Sequence, residues 1–190
     1  MQNKIAKDIR DSIALKQILL EKHLPLIEKA ARLVFECVQK GNKILFFGNG
    51  GSASDSQHLA AEFVGRYEKE RRGLPAVALT TDTSILTAVG NDYGFEKVFE
   101  RQVEALGRKG DVAFGISTSG HSSNVLAGIR KAKELGLVTI GFSGRAGGEL
   151  DKLVDLSIVI PSQKTSRIQE AHILIGHIIC ERVDELFEQA

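Results

Sequence analysis

Two stretches of the chain place glycines and hydroxyls directly after an apolar run. They are Phe47-Gly48-Asn49-Gly50-Gly51-Ser52-Ala53-Ser54 and Gly115-Ile116-Ser117-Thr118-Ser119-Gly120-His121-Ser122-Ser123-Asn124. Glycines let the backbone approach an anion closely, and hydroxyls and the first N–H groups of a following helix supply donors. Two such loops in one small protein favour a phosphate site, with Ser117, Thr118, Ser119 and Gly120 as the better cradle and Ser122 completing it. Capping of a helix by Ser or Thr is the plain alternative for either loop alone. No lysine follows in the Walker pattern. The first loop also lacks the G-x-G-x-x-G spacing of a dinucleotide site.

Three further groups carry chemistry. His58 and Glu62 are spaced i, i+4 and so share one face of a helix. That spacing suits a divalent metal or a base with its partner, and equally a weak surface pair. Arg167, Gln169, Glu170, His172 and His177 interrupt an otherwise apolar stretch rich in Ile and Leu. A lone histidine in such surroundings is usually a core residue, and His172 is read that way. Gly90-Asn91-Asp92-Tyr93-Gly94 has the composition of a turn. Asp92 would bind a sugar hydroxyl if that turn faced the site.

Apolar periodicity predicts what positions these residues. Helices are expected over Ile5 to Glu21 and Leu26 to Gln39, ahead of the first strand. This leading pair, residues 1–40, is read as a lid or an oligomerisation segment. Strands are expected at Lys43–Phe47, Ala76–Leu79, Asp111–Ile116, Val138–Phe142 and Leu156–Ile160. Between and after them lie helices over Ser52 to Tyr67, Ser84 to Val89, Phe95 to Leu106, Asn124 to Leu135 and Ser166 to Glu188. Strands separated by helices imply right-handed crossovers and a parallel sheet, and ligands of such sheets bind at the carboxyl ends of the strands. The three prolines, Pro25, Pro75 and Pro161, fall at element boundaries.

The 190 residues are about one domain's worth, 43% hydrophobic, with 25 Lys and Arg against 24 Asp and Glu. That near balance gives no nucleic-acid footprint. The basic run from Lys69 to Arg72 is read as a solvated helix end. Cys37 and Cys180 sit among aliphatic residues and are read as buried free thiols, which fits a reducing compartment. With no signal-peptide pattern and no run of ~18 apolar residues, the expected location is the cytoplasm, away from membranes.

Taken together, these motifs resemble the sugar isomerase (SIS) domain family, and most closely its branch acting on heptose phosphates. The resemblance spans residues 1–190, with Gly65-Arg66-Tyr67 among its marks. It implies an α/β three-layer sandwich of flavodoxin-like type with a central parallel sheet and added N-terminal helices. It further implies a homotetramer with active sites between subunits and one zinc per subunit, held at His58, Glu62, Gln169 and His177. Glu62 and His177 match the proton-moving residues. Asn49, Gly50, Gly51, Ser52, Glu62, Asn91, Asp92, Ser117, Thr118, Ser119, Ser122 and Gln169 match positions that contact the phosphorylated sugar. The implied reaction takes sedoheptulose 7-phosphate to D-glycero-D-manno-heptose 7-phosphate, at the head of ADP-heptose and lipopolysaccharide core synthesis. His121 stands where relatives often carry Asn. The alternative within the fold is a non-catalytic tetramer that binds the replication initiator; its members lack the residues matching Glu62 and His177.

The implied ligand set raises a problem of reach. Gln169 and His177 are eight residues apart on one expected helix, ~12 Å along the axis and ~80° around it. Their donation by different subunits is the simpler arrangement.

Overall fold

In a computed structural model describing residues 1–188, the segments apolar at every position become strands covered on both faces. β1 (Ile44–Gly48) and β3 (Val112–Ser117) are buried throughout, as a parallel sheet between two helical layers requires. β2 (Ala76–Ala78), β4 (Val138–Gly144) and β5 (Leu156–Ile160) complete a five-stranded sheet in the order β2-β1-β3-β4-β5, with every pairing parallel.

Alternation along the strands divides the core in two. Ile44, Phe46, Phe114 and Phe142 point into one layer, packed by α1 (Gln2–Lys22), α2 (Leu24–Gln39), α3 (Gly51–Val64) and α8 (Thr165–Glu188). Leu45, Phe47 and Ala113 point into the other, packed by α5 (Val98–Leu106), α6 (Ser123–Glu134) and α7 (Gly148–Leu153). The expected three-layer α/β sandwich is what forms.

Several boundaries differ from expectation. α3 stops at Val64, not near Tyr67: Gly65 leaves the helix at φ −77, ψ −111. The residues read as a turn at Gly90–Tyr93 are the last turn of α4 (Thr83–Tyr93); the chain reverses only at Gly94, whose φ is +91. The short helix α7 is additional. It begins at Gly148 with Gly147 as its cap, both at positive φ, where glycine composition hid a helix start. α4 buries none of its residues and rests on α5 and the 3₁₀ turn Phe95–Lys97. No helix among the described residues is long and apolar enough to cross a membrane. Cys37 and Cys180 are free and buried, and desolvation raises the Cys37 thiol pKa to about 12.

Candidate active site

Strand order decides where the site lies. From β1 the chain crosses to β2 on one side, and from β3 it crosses to β4 on the other. The loops after β1 and β3 therefore diverge and leave a crevice between neighbouring strand ends, the switch point where such sheets bind ligands. Both glycine-hydroxyl loops are these loops. They are tied by a reciprocal amide pair: Asn49 Nδ2 donates to Asn124 Oδ1 and Asn124 Nδ2 to Asn49 Oδ1, each at 2.9 Å.

In the β3 loop, Ser117 Oγ lies 2.9 Å from Ser122 Oγ and 3.3 Å from Ser119 Oγ. Gly120 N–H donates to Ser117 Oγ at 3.1 Å and His121 N–H to Ser119 Oγ at 3.1 Å. The hydroxyls thus converge; Ser117 and Ser119 accept from backbone N–H groups, and the two contacts among the hydroxyls take two of their three protons, which an entering anion would draw to itself. Gly120 turns at φ +69, and a Cβ there would stand 1.9 Å from the Gly147 carbonyl oxygen. In the β1 loop Gly50 turns at φ +58 and Ser52 is buried. A Cβ on Gly51 would lie 2.2 Å from Gln169 Nε2, so the Gln169 amide covers the start of α3.

A second cluster forms between α3 and α8. His58 Nε2 is 2.8 Å from His177 Nε2 and 3.2 Å from Glu62 Oε1. One ligand atom from each of the three residues falls within 4.8 Å of the others. Close helix approach makes this possible: a Cβ on Gly176 would meet Leu59 Cδ2 at 2.6 Å. Burial lowers the His177 pKa, helped by His58 and opposed by Glu62, which favours the neutral imidazole a metal needs. Two facing ring nitrogens and a carboxylate suit zinc. The separations are near the ~3.3 Å expected between ligands of a tetrahedral ion with bonds of ~2.0–2.1 Å.

The two helices run parallel and in register, Gly51 beside Gln169 and Leu59 beside Gly176. Gln169 therefore stands a turn or more from the His58, Glu62 and His177 group of its own chain. Asn91 and Asp92 also stand apart: they are exposed on α4, Asn91 Nδ2 donating to Asp92 Oδ1 at 2.8 Å. His172 is a core residue, fully buried, its Nε2 3.0 Å from the Ser143 carbonyl oxygen.

Asp55 was not anticipated. Spaced with Gly51, His58 and Glu62 as i, i+4, i+7 and i+11, it shares their face of α3. Its Oδ2 is buried without a partner, and desolvation lifts its pKa to about 6 against the pull of His58. The sequence signal was that face periodicity.

Comparison with known proteins shows the family and the fold. The SIS domain family profile matches residues 9–144. A phosphoheptose isomerase of Aquifex aeolicus (strain VF5) is 54% identical over 186 residues, covering 98% of this chain and 97% of the relative. The structure of phosphoheptose isomerase from Neisseria gonorrhoeae superimposes with a TM-score of 0.92 at 45% identity, over 97% of this chain and 98% of that one. One from Francisella tularensis gives 0.94 at 37% identity, with the same coverage. The chain belongs to the SIS domain family.

Proposed function

We propose that the protein is a phosphoheptose isomerase, converting sedoheptulose 7-phosphate to D-glycero-D-manno-heptose 7-phosphate for heptose biosynthesis. The observation that carries this is the meeting of His58, Glu62 and His177 in a chain whose switch-point loop converges three serine hydroxyls. Serine hydroxyls and backbone N–H groups of that loop hold the phosphate. Asn49, Gly50, Gly51 and Ser52 line the sugar beside it. Aldose–ketose exchange removes a proton from one carbon and delivers one to its neighbour through an enediol. Glu62 is the carboxylate base for the carbon proton, and His177 exchanges the oxygen proton. Zinc, when bound by His58, Glu62 and His177, polarises the carbonyl and offsets enediolate charge.

In the proposed assembly Gln169 reaches this centre from another copy, because the parallel register holds it away from its own His177. Asn91 and Asp92, exposed on an outward helix, serve a neighbouring copy's substrate. Ile5, Ile9 and Ile13 on α1 are more than half exposed, which supports residues 1–40 as the assembly segment of a homotetramer. The proposed location is the cytoplasm, where the thiols stay reduced. The non-catalytic alternative is not carried forward: Glu62 and His177, absent from that branch, meet here in one cluster.

Chelation should abolish turnover and zinc should restore it; full activity in metal-free protein removes the metal from the mechanism. Mixing inactive Glu62→Gln with inactive Gln169→Ala subunits after dissociation should recover part of the activity. Mixing Glu62→Gln with His177→Ala should not, since both groups lie on one chain.

A further inference from the structure

The run from Lys69 to Arg72 lies beyond the end of α3, and while Lys69, Glu70 and Arg72 are exposed as expected, Arg71 is not. Because α3 stops at Val64, residues 65–73 form a strap across the ends of α3 and α8. Arg71 is its anchor. Its Nε donates to Asp184 Oδ1 at 2.6 Å, with the side chains only 8% and 1% exposed. Its other nitrogens donate to the carbonyl oxygens of Glu62 at 3.0 Å, Phe63 at 2.9 Å and Gly65 at 3.3 Å. The Glu62 and Phe63 carbonyls are among those a helix end leaves without an intrahelical donor; Phe63 also accepts from the Leu74 N–H at 2.9 Å. Asp184 Oδ2 in turn accepts from the N–H groups of Glu68 and Lys69, each at 3.2 Å. Between these fixed points sits Tyr67, whose ring lies 5.5 Å from the His177 ring at 32°.

We propose that the buried Arg71–Asp184 pair is a positioning device for the proton-transfer half of the site. It fixes the Glu62 backbone at the end of α3 and lays Tyr67 against His177. Asp184 is seven residues beyond His177 and shares its face of α8, so one ion pair ties the end of α3 to α8 about two turns past the point where their reacting side chains meet. It does not touch the phosphate loop, which is built at the far end of α3 on β3.

The structure contains its own control. Lys43 and Asp111 make a second ion pair, 2.6 Å long with Asp111 1% exposed. Asp111 also accepts from the N–H groups of Lys43 and Arg108. This pair sits at the opposite, amino-terminal edge of the sheet, ~20 Å along β3 from Ser117. Losing either carboxylate charge weakens the fold, but only one pair grips the site.

The inference rests on the isomerase reading above, so wild type is measured alongside the variants. Arg71→Lys, Asp184→Asn and Asp111→Asn are compared for kcat and KM with sedoheptulose 7-phosphate well below their melting temperatures, and for inorganic phosphate affinity by calorimetry. Arg71→Lys and Asp184→Asn should lose tenfold or more in kcat, with KM and phosphate affinity within about twofold of wild type. Asp111→Asn should lose melting temperature but keep kcat. Wild-type kcat in folded Arg71→Lys or Asp184→Asn, or an equal loss in Asp111→Asn, would overturn the proposal. If neither charge variant folds, Tyr67→Ala decides, because it removes the strap's contact with His177 and leaves the ion pair intact. A matching kcat loss there supports the proposal and wild-type kcat overturns it. No turnover in wild type would instead be a failure of the isomerase reading.

Discussion

His172 makes the protein's stability depend on pH in a calculable way. The ring is fully buried on α8, stacked 5.2 Å from Phe142, and Nδ1 has no partner. Burial lowers its pKa from 6.5 to about 4, against the bond to the Ser143 carbonyl. The unfolded chain therefore binds a proton near pH 6.5 that the folded chain refuses until about pH 4. Stability from this group is complete above pH 6.5 and is lost as pH falls through that window. At 1.36 kcal/mol per unit the full loss is about 3 kcal/mol, with about 2.5 of it gone between pH 7.5 and 4.5. The perturbation is His172→Gln, which keeps a donor for the Ser143 carbonyl and cannot titrate. Urea unfolding of metal-free wild type and variant, at one protein concentration, gives the difference at each pH. Other carboxylates titrate in both proteins and cancel. The variant should be less stable at pH 7.5 from lost packing, and its deficit should shrink by about 2.5 kcal/mol at pH 4.5. A deficit constant across that range would show that His172 protonates as freely in the core as in water.

Asp55 has the opposite sign. Its raised pKa of about 6 penalises the folded state progressively from pH 3.8 and fully above about 6, so Asp55→Asn should stabilise metal-free protein at pH 7.5 by about 1 kcal/mol, the full shift being discounted for a half-buried side chain, and not at pH 4; equal effects at both pH values would contradict the burial argument. Gly176→Ala should lower zinc affinity and kcat by 10- to 100-fold, because its Cβ would sit 2.6 Å from Leu59 Cδ2 and part the two helices. Helix propensity alone predicts a gain of about 1 kcal/mol in stability, so wild-type activity with a higher melting temperature would show that Leu59 simply moves aside. Ser119→Ala should weaken inorganic phosphate binding while leaving the melting temperature within a few degrees, and unchanged affinity would reduce that hydroxyl to a turn-former.

Much of this was legible in the sequence because local chemistry announced it. The two loops stand out since an apolar strand ending in Gly and Ser has few other uses, and the switch point then brings both to one crevice. His58 and Glu62 were visible as an i, i+4 pair. Their meeting with His177 is implied by the family resemblance and not by spacing, because it depends on α3 and α8 lying parallel with Leu59 against Gly176. That same register places Gln169 at Gly51, away from its own His177, and the proposed division between copies rests on it. Arg71 was misread because a charge run looks solvated until α3 is seen to stop at Val64. Asn91 and Asp92 were read as a turn from composition, yet α4 continues through them to Gly94. α7 was hidden behind Gly147-Gly148, where left-handed glycines open a helix rather than ending one.

In the proposed reaction this chain moves a proton between the first two carbons of a ketose phosphate, with Glu62 as base. The direct measurement is NMR of metal-replete protein with sedoheptulose 7-phosphate in deuterated water. The aldose should appear carrying deuterium at carbon 2, and Glu62→Gln, folded and metal-loaded, should make it at least a hundredfold more slowly. Wild-type protein that leaves the ketose unchanged would refute the isomerase reaction, and a Glu62→Gln variant that keeps pace with wild type would refute Glu62 as its base.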